Sequence, residues 1–238
     1  MKITWYGHAA FVVRTPGGTV IAIDPWFGNP RSPAPDLAQR IEKVDYVLVT
    51  HGHFDHVGDA IALGKRLGAR LVTNFDLGTA LVAAGYPKDQ AGFDTLGNVG
   101  GTIQAGDALV TMVPAVHSSA LANEAGEARP GGSPMGFVIR VKGGPTLYHT
   151  GDTDVTQDMK LVPERFGPVD VMLACIGGHF TMDPAGAALA ASYVRPKVVV
   201  PMHFQTFPVI PGSPDELRRA LRGRVPVKVL EPGQPAHF

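Results

Sequence analysis

Cysteine is almost missing from this chain: Cys175 is the only one in 238 residues, so no intrachain disulfide can form. It stands in the apolar run Val169-Asp170-Val171-Met172-Leu173-Ala174-Cys175-Ile176 and reads as a small buried strand residue. Net charge is missing too, because 21 basic side chains balance 21 acidic ones. A nucleic-acid binder draws most of its affinity from a basic excess that neutralises phosphates, so this balance argues against a long polyanionic partner. No stretch approaches the roughly 20 apolar residues that span a bilayer. The opening Met1-Lys2-Ile3-Thr4-Trp5-Tyr6-Gly7-His8 lacks the apolar core and cleavage site of a secretory signal. These absences predict a cytoplasmic protein with no membrane span. No Ser-rich or charged linker divides the chain, and hydrophobic residues make up 45% of it, enough for a large core, so residues 1–238 read as one domain.

Both halves begin with strands and turn to strand–helix alternation. Short β-rich runs at Ile3–Tyr6, Phe11–Arg14 and Thr19–Asp24 precede a Pro-rich loop, residues 25–35, and a buried strand at 44–49. Apolar residues at Val57, Ile61, Leu63 and Leu67 keep helical spacing before Gly68, and a second helix is predicted over 76–84. Strands follow near 70–73, 92–95, 102–104, 108–113, 135–141 and 146–149. The polar stretch Glu124–Ser133 reads as a mobile surface loop. Helices over 153–165, 183–193 and 215–222 then alternate with strands over 169–175, 197–201 and 226–229. Such a pattern fits two packed sheets with helices on their outer faces.

The chemistry concentrates in His51-Gly52-His53-Phe54-Asp55-His56, directly after a buried strand. Drawn at random from this composition, such a pattern arises about once in a thousand chains. Three imidazoles and a carboxylate packed this closely are metal-ligand material. In extended chain, residues two apart point the same way, so His51 and His53 can share one ion while Asp55 and His56 turn toward a second. Four residues cannot furnish two catalytic metal sites, and further ligands are expected at later strand ends. His117 follows Leu109–Val116, Asp152 follows the run ending at His149, and His203 follows Val198–Met202. His179 also follows a strand, after Gly177-Gly178, and is a candidate to line the pocket and stabilise a developing oxyanion. His8 is a candidate to orient a ligand, with a satisfied buried histidine as the alternative. Trp26 and Phe27 either wall the pocket or pack the core. Ser118 and Ser119 read as hydrogen-bonding loop residues and His149 as pointing away from the site.

The ordered set His51, His53, Asp55, His56, His117, Asp152 and His203 resembles the signature of the metallo-β-lactamase superfamily over essentially the whole chain. The segments Trp5–Phe11, Gly28-Asn29-Pro30, Gly177–Met182 and Pro201–Phe204 are similar to a bacterial branch of metal-dependent hydrolases related to sugar-phosphate lactonases and phospholipase D-like enzymes. The resemblance implies an α/β (α+β) fold, a four-layer αββα sandwich with the metals at one edge. It implies that His51, His53 and His117 hold one divalent ion and Asp55, His56 and His203 another, with Asp152 between them. Zinc is the expected metal for an imidazole-rich set, with manganese, iron and nickel as alternatives.

The function expected is hydrolysis. Two cations acidify a water for attack on a carbonyl carbon or phosphorus, and Asp55 orients that nucleophile or carries its proton. The substrate class is a small-molecule ester, lactone, thioester or phosphoester, since the fold does not choose among them. An iron-dependent oxidoreductase or dioxygenase, and a non-catalytic metal-binding protein, are the other classes weighed. Neither composition nor pattern fixes the oligomeric state, and a homo-oligomer that closes the pocket is compatible with both.

Overall fold

Alternation of side chains decides the layers. The computed structural model describes every residue except Glu124, so the first residue of the expected polar loop lies outside the described residues. In the first sheet, β1 (Lys2–Trp5), β2 (Phe11–Arg14) and β3 (Val20–Ile23) are antiparallel. From β3 onward, β4 (Tyr46–Leu48), β5 (Arg70–Asn74) and β6 (Leu96–Gly97) continue in parallel. The second sheet repeats the plan. Strands β7 (Thr102–Ala105) and β8 (Ala108–Pro114) are antiparallel, and a separate hairpin of β9 (Ala120–Ala122) and β10 (Ala128–Pro130) follows. Next, β11 (Met135–Val141) pairs antiparallel with both β8 and β12 (Thr146–His149). The parallel strands β13 (Val171–Cys175) and β14 (Val198–Met202) complete this sheet, and β15 (Pro235–His237) returns to the free edge of β1.

Successive strand residues face opposite ways. Phe11, Val13, Ile21 and Ile23 enter one core with Val110, Met112, Phe137 and Leu173 of the second sheet. Their neighbours Val12, Val20 and Ala22 enter another core with Leu63, Leu77 and Leu81. Those leucines come from the helices that cover the first sheet. In chain order the helices are α1 (Leu37–Arg40), α2 (Phe54–Val57), α3 (Ala60–Leu67), α4 (Phe75–Ala83), α5 (Leu161–Phe166), α6 (Pro184–Val194) and α7 (Pro214–Leu221). On the far side, Ala187 and Ala191 of α6 and Leu217 of α7 pack on the second sheet, giving the expected helix–sheet–sheet–helix order. Both outer helices are firmly started. The Asp183 carboxylate accepts from Gly186 N at α6, and Ser213 with Glu216 forms a reciprocal capping box at α7.

Several sequence expectations are corrected. The helix predicted from Val57 starts at Phe54 and is broken at Gly58, whose φ of 37° and close approach to Trp26 admit no side chain. Residues 153–156 are not helical; a 3₁₀ turn at Gln157–Lys160 leads into α5. The strand expected at 92–95 is a turn closed by Thr95 N to Gly92 O, and the strand lies just after it. At 226–229 only an isolated bridge, Val227 to Val199, forms. The polar stretch at 124–133 is no simple loop, since residues 128–130 form the second arm of the β9–β10 hairpin. Among the described residues, no helix is long and apolar enough to cross a membrane.

Candidate metal centre

Strand direction brings the expected residues together. Strands β3 and β4 run parallel, as do β12, β13 and β14, and two antiparallel pairings through β11 align β8 with β12. Their carboxyl ends therefore share an edge in each sheet, the place where open α/β sheets present ligand-binding loops. Asp24 follows β3, His51 follows β4, His117 follows β8, Asp152 follows β12 and His203 follows β14. His53 is the N-cap residue of α2, with extended backbone (φ −72°, ψ 151°), so Asp55 and His56 stand on the first turn of that helix.

The side chains converge in three overlapping groups. His51, His53 and His117 form one; His51, His56 and Asp152 a second; His8, Asp55, His56 and His203 a third. Within each, the offered ligand atoms all lie within 4.8 Å of one another. His51 Nε2 faces His53 Nδ1 at 2.9 Å. Asp152 Oδ2 stands 2.9 Å from His203 Nε2, 3.3 Å from His56 Nε2 and 3.7 Å from His117 Nε2. Asp55 Oδ2 lies 3.6 Å from His203 Nε2 and 3.9 Å from His56 Nε2. All seven expected ligands thus meet at one place.

Several of these atoms are orphans. His56 Nε2, His203 Nε2 and Asp152 Oδ1 are buried without a hydrogen-bond partner; His203 Nε2 is close to Asp152 but not aligned for a bond. A buried unpaired polar atom costs about 1–3 kcal/mol, so a cluster of them needs a further partner. Imidazole nitrogens and carboxylate oxygens gathered this closely fit divalent cations, which sit about 2 Å from each such donor. The charges agree. Burial would raise the carboxyls of Asp55 and Asp152, yet the imidazoles of His56 and His203 hold both far below the usual carboxylate range. Burial pulls the His203 imidazole down, but the adjoining Asp152 and Asp55 carboxylates override it and lift it to about 9. Protons on His203 and His56 thus answer the negative charge that bound cations would otherwise answer.

An inner layer of hydrogen bonds aims these rings, and it includes a residue that the sequence analysis passed over. Asp24 is fully buried, with φ of 44°. Its Oδ1 accepts from Thr50 N at 2.8 Å. Its Oδ2 accepts from Thr50 Oγ1 at 2.7 Å and pairs with His56 Nδ1, also at 2.7 Å. A carboxylate on Nδ1 keeps a proton there, so that when a cation replaces the other proton it is the Nε2 lone pair that faces the cluster. Thr50 Oγ1, having donated to Asp24, is left to accept from His51 Nδ1 at 3.0 Å, so one carboxylate sets the tautomers of two histidines. The rule that selected Asp152, a carboxylate just past a buried strand, selects Asp24 equally.

His8 supports the opposite side. Its Nε2 lies 3.0 Å from Asp55 Oδ2 and its Nδ1 2.8 Å from Thr206 Oγ1, while its carbonyl accepts from His203 N at 3.0 Å. Burial, with His203 alongside, pushes its imidazole down to about 4, so at neutral pH it is a neutral donor to Asp55.

A cleft of about 620 Å³ opens over the cluster, with His53, Asp55, His117, Asp152 and His203 on its floor. The β9–β10 hairpin forms one wall through Ala120 and Ala122. Ser119 Oγ accepts from Gly52 N and donates to Gly131 O, and Asn74 Nδ2 holds Gly131 O and Ser133 O, tying the hairpin base to the first sheet. Ser118 lines the cleft, Trp26 packs behind its wall, and Phe27 is buried against Tyr6. The structure does not bring His179 to this floor. It is exposed, packs against Phe180 and lines a neighbouring hollow with Asp183 and Glu216, while Phe180 takes the wall position. His149 is also apart, with Nδ1 accepting from Gly151 N.

Comparison with known proteins agrees with this geometry. A family model described as a β-lactamase superfamily domain matches residues 2–203. A UPF0173 metal-dependent hydrolase of Anaeromyxobacter sp. (strain K) is 73% identical over 237 residues, covering 100% of this chain and 86% of that protein. One from Archaeoglobus fulgidus is 43% identical over 242 residues, covering 100% and 99%. Among solved structures, Igni18, described as a novel metallo hydrolase from the hyperthermophilic archaeon Ignicoccus hospitalis, superposes with a TM-score of 0.85 at 36% identity, covering 100% of this chain and 98% of that one. The chain belongs to the β-lactamase superfamily and, within it, to the UPF0173 metal-dependent hydrolases.

Proposed function

We propose that this protein hydrolyses a small-molecule ester, lactone, thioester or phosphoester with two divalent ions, zinc first among them. His51, His53 and His117 would hold one ion and Asp55, His56 and His203 the other, with Asp152 available to either. The supporting observation is the convergence of these seven side chains, with Asp152 Oδ2 between His203, His56 and His117 at 2.9, 3.3 and 3.7 Å. Ions held there would supply the acidity that turns water into a nucleophile and the Lewis acidity that polarises the attacked group. The chain's own residues do the rest. Asp24 and Thr50 keep the lone pairs of His56 and His51 turned inward. Asp55, steadied by His8, orients the attacking water or relays its proton. Ser118, at the cleft wall 3.3 Å from His53 Nε2, is placed to steady that ring.

Metal analysis of the purified protein tests the reading, with two ions per chain expected. Asp152→Asn is expected to lose turnover on a panel of lactones, thioesters, esters and phosphodiesters and to weaken binding of both ions. Full metal loading with no turnover on any of the panel would refute hydrolysis and favour a binding role.

A further inference from the structure

Resting on the hydrolase reading, we infer that the substrate is an uncharged acyl compound (a carboxylic ester, thioester or lactone) whose apolar group packs on Phe54, Phe180, Phe207 and Val209. The cleft volume of about 620 Å³ suits a small molecule, since such sites measure roughly 300–1,000 Å³. Above the histidine–aspartate floor the walls are apolar, with Ser118 the one neutral polar side chain among the described residues that line them. Phe54 is 67% exposed and Phe180 54%, although large aromatic side chains are usually buried. Exposed apolar surface gathered beside a reactive centre marks a ligand surface.

The wall is also preorganised. Trp26 meets Phe54 edge-on at 5.5 Å and stacks on Phe207 at 5.9 Å, so these rings hold their places before a ligand arrives. No Lys or Arg lines the cleft among the described residues. Arg129 lies in the adjoining hollow beyond Phe54 and Ala122, and Arg31 is stacked on Trp5 and Phe204. Phosphate groups are ordinarily gripped by Arg or Lys, so a phosphate-bearing substrate meets no cationic side chain of that kind here, only the Ser118 hydroxyl and the proposed metal ligands. The reaction inferred for an ester is R–CO–OR′ plus water giving R–COO⁻, R′–OH and one proton. The acyl C–O bond breaks, water oxygen bonds the acyl carbon, and one water proton goes to the leaving oxygen.

The test uses the full chain loaded with Zn²⁺ on p-nitrophenyl acetate, butyrate and hexanoate, p-nitrophenyl phosphate and bis(p-nitrophenyl) phosphate, with rates taken above those of Asp152→Asn. Up to about a fourfold gain in kcat/KM is expected per added methylene, the equivalent of ~0.8 kcal/mol for a buried CH₂. The phosphoesters are expected to be poorer substrates. Phe180→Ala and Phe54→Ala should each lower the hexanoate-to-acetate ratio about fivefold or more, while Arg129→Ala leaves that ratio unchanged. A second readout needs no metal. Titrating the metal-free protein with acetone, 2-butanone and 2-hexanone, read by tryptophan fluorescence, should give affinity that rises with length. A flat length dependence in either readout, or a preference for the phosphoesters, overturns this inference and leaves the hydrolase reading standing. No turnover of any of the five substrates with zinc bound overturns both.

Discussion

Replacing Asp24 by Asn changes one oxygen to an NH₂ in a fully buried site, and the structure says what must follow. The backbone tolerates the exchange, because Asn accepts the left-handed φ of 44° as readily as Asp. The hydrogen bonds do not. One side-chain oxygen must remain opposite Thr50 N, whose proton cannot move, so the new NH₂ faces His56 Nδ1 and Thr50 Oγ1. Two donors then meet at 2.7 Å unless His56 moves its proton to Nε2, which points it at the cluster in place of a lone pair. A hydrogen bond to a charged group contributes about 1.5–3 kcal/mol, so affinity for the ion assigned to Asp55, His56 and His203 should fall about 10- to 100-fold. The ion assigned to His51, His53 and His117 should weaken less, through the relay from Thr50 to His51. Competition between protein and a fluorescent zinc chelator measures both affinities, and urea unfolding of the metal-free protein measures the fold, which should lose no more than about 1–3 kcal/mol. Wild-type affinity for both ions in Asp24→Asn would refute the tautomer argument, and so would a collapse of the metal-free fold.

Three further outcomes test other parts of the structure. Gly52→Ala places a Cβ 2.8 Å from the Ala120 backbone, so it should cost about 1–3 kcal/mol in urea unfolding and speed proteolysis within the β9–β10 hairpin. Arg31→Ala removes a guanidinium 4.6 Å from the Phe204 ring and 5.3 Å from Trp5 that also donates to Phe204 O at 3.2 Å. A loss of about 2 kcal/mol is expected, and Arg31→Lys should recover only part of it because lysine lacks the planar fork. Burial pushes the Cys175 thiol up to about 11 from an ordinary 9.0, so between those values the unfolded chain releases a proton that the folded chain keeps. Stability from this group is complete below pH 9 and is lost as pH rises toward 11, a loss of about 3 kcal/mol. Cys175→Ala should therefore lose less stability than wild type between pH 8 and 10.5, and equal slopes in urea titrations would refute the assignment.

The parts of the fold that were legible in the sequence are those where burial dictates pattern. Phe11–Arg14 and Val20–Ile23 stand out as nearly unbroken apolar runs because one face meets the other sheet and the other meets helices, so both faces are buried. Pro235–His237 and Leu96–Gly97 form no such run, since one is a partly exposed edge strand and the other is two residues long. The hairpin at 120–130 was illegible for a different reason. Its Ala, Arg and Pro residues have little β preference, and its base is tied by Asn74 and Ser119, which are remote from one another in sequence. The candidate metal cluster was legible because four candidate ligands fall within six residues, whereas Asp24 and His8 stand alone and carry meaning only once strand order is known.

The contrast between His203 and His179 shows what a strand-end rule leaves undecided. Both follow strands of the same parallel set, and both have left-handed backbone, with φ of 53° and 56°. His203 N donates to His8 O, a bond that crosses from the second sheet to the first and pulls the ring into the cluster. At His179 the hydrogen bonds are local: Phe180 N returns to Gly178 O, and Gly178 N reaches Met182 O, so the turn closes on itself and the imidazole faces outward. The same residue type and dihedral region therefore give a candidate ligand in one place and a surface residue in the other, His203 directly after its strand and His179 four residues beyond its own. The deciding term is the tether between sheets. His8 O accepts from both His203 N and Trp5 Nε1, so the N-terminal turn that buttresses Asp55 also sets where His203 stands.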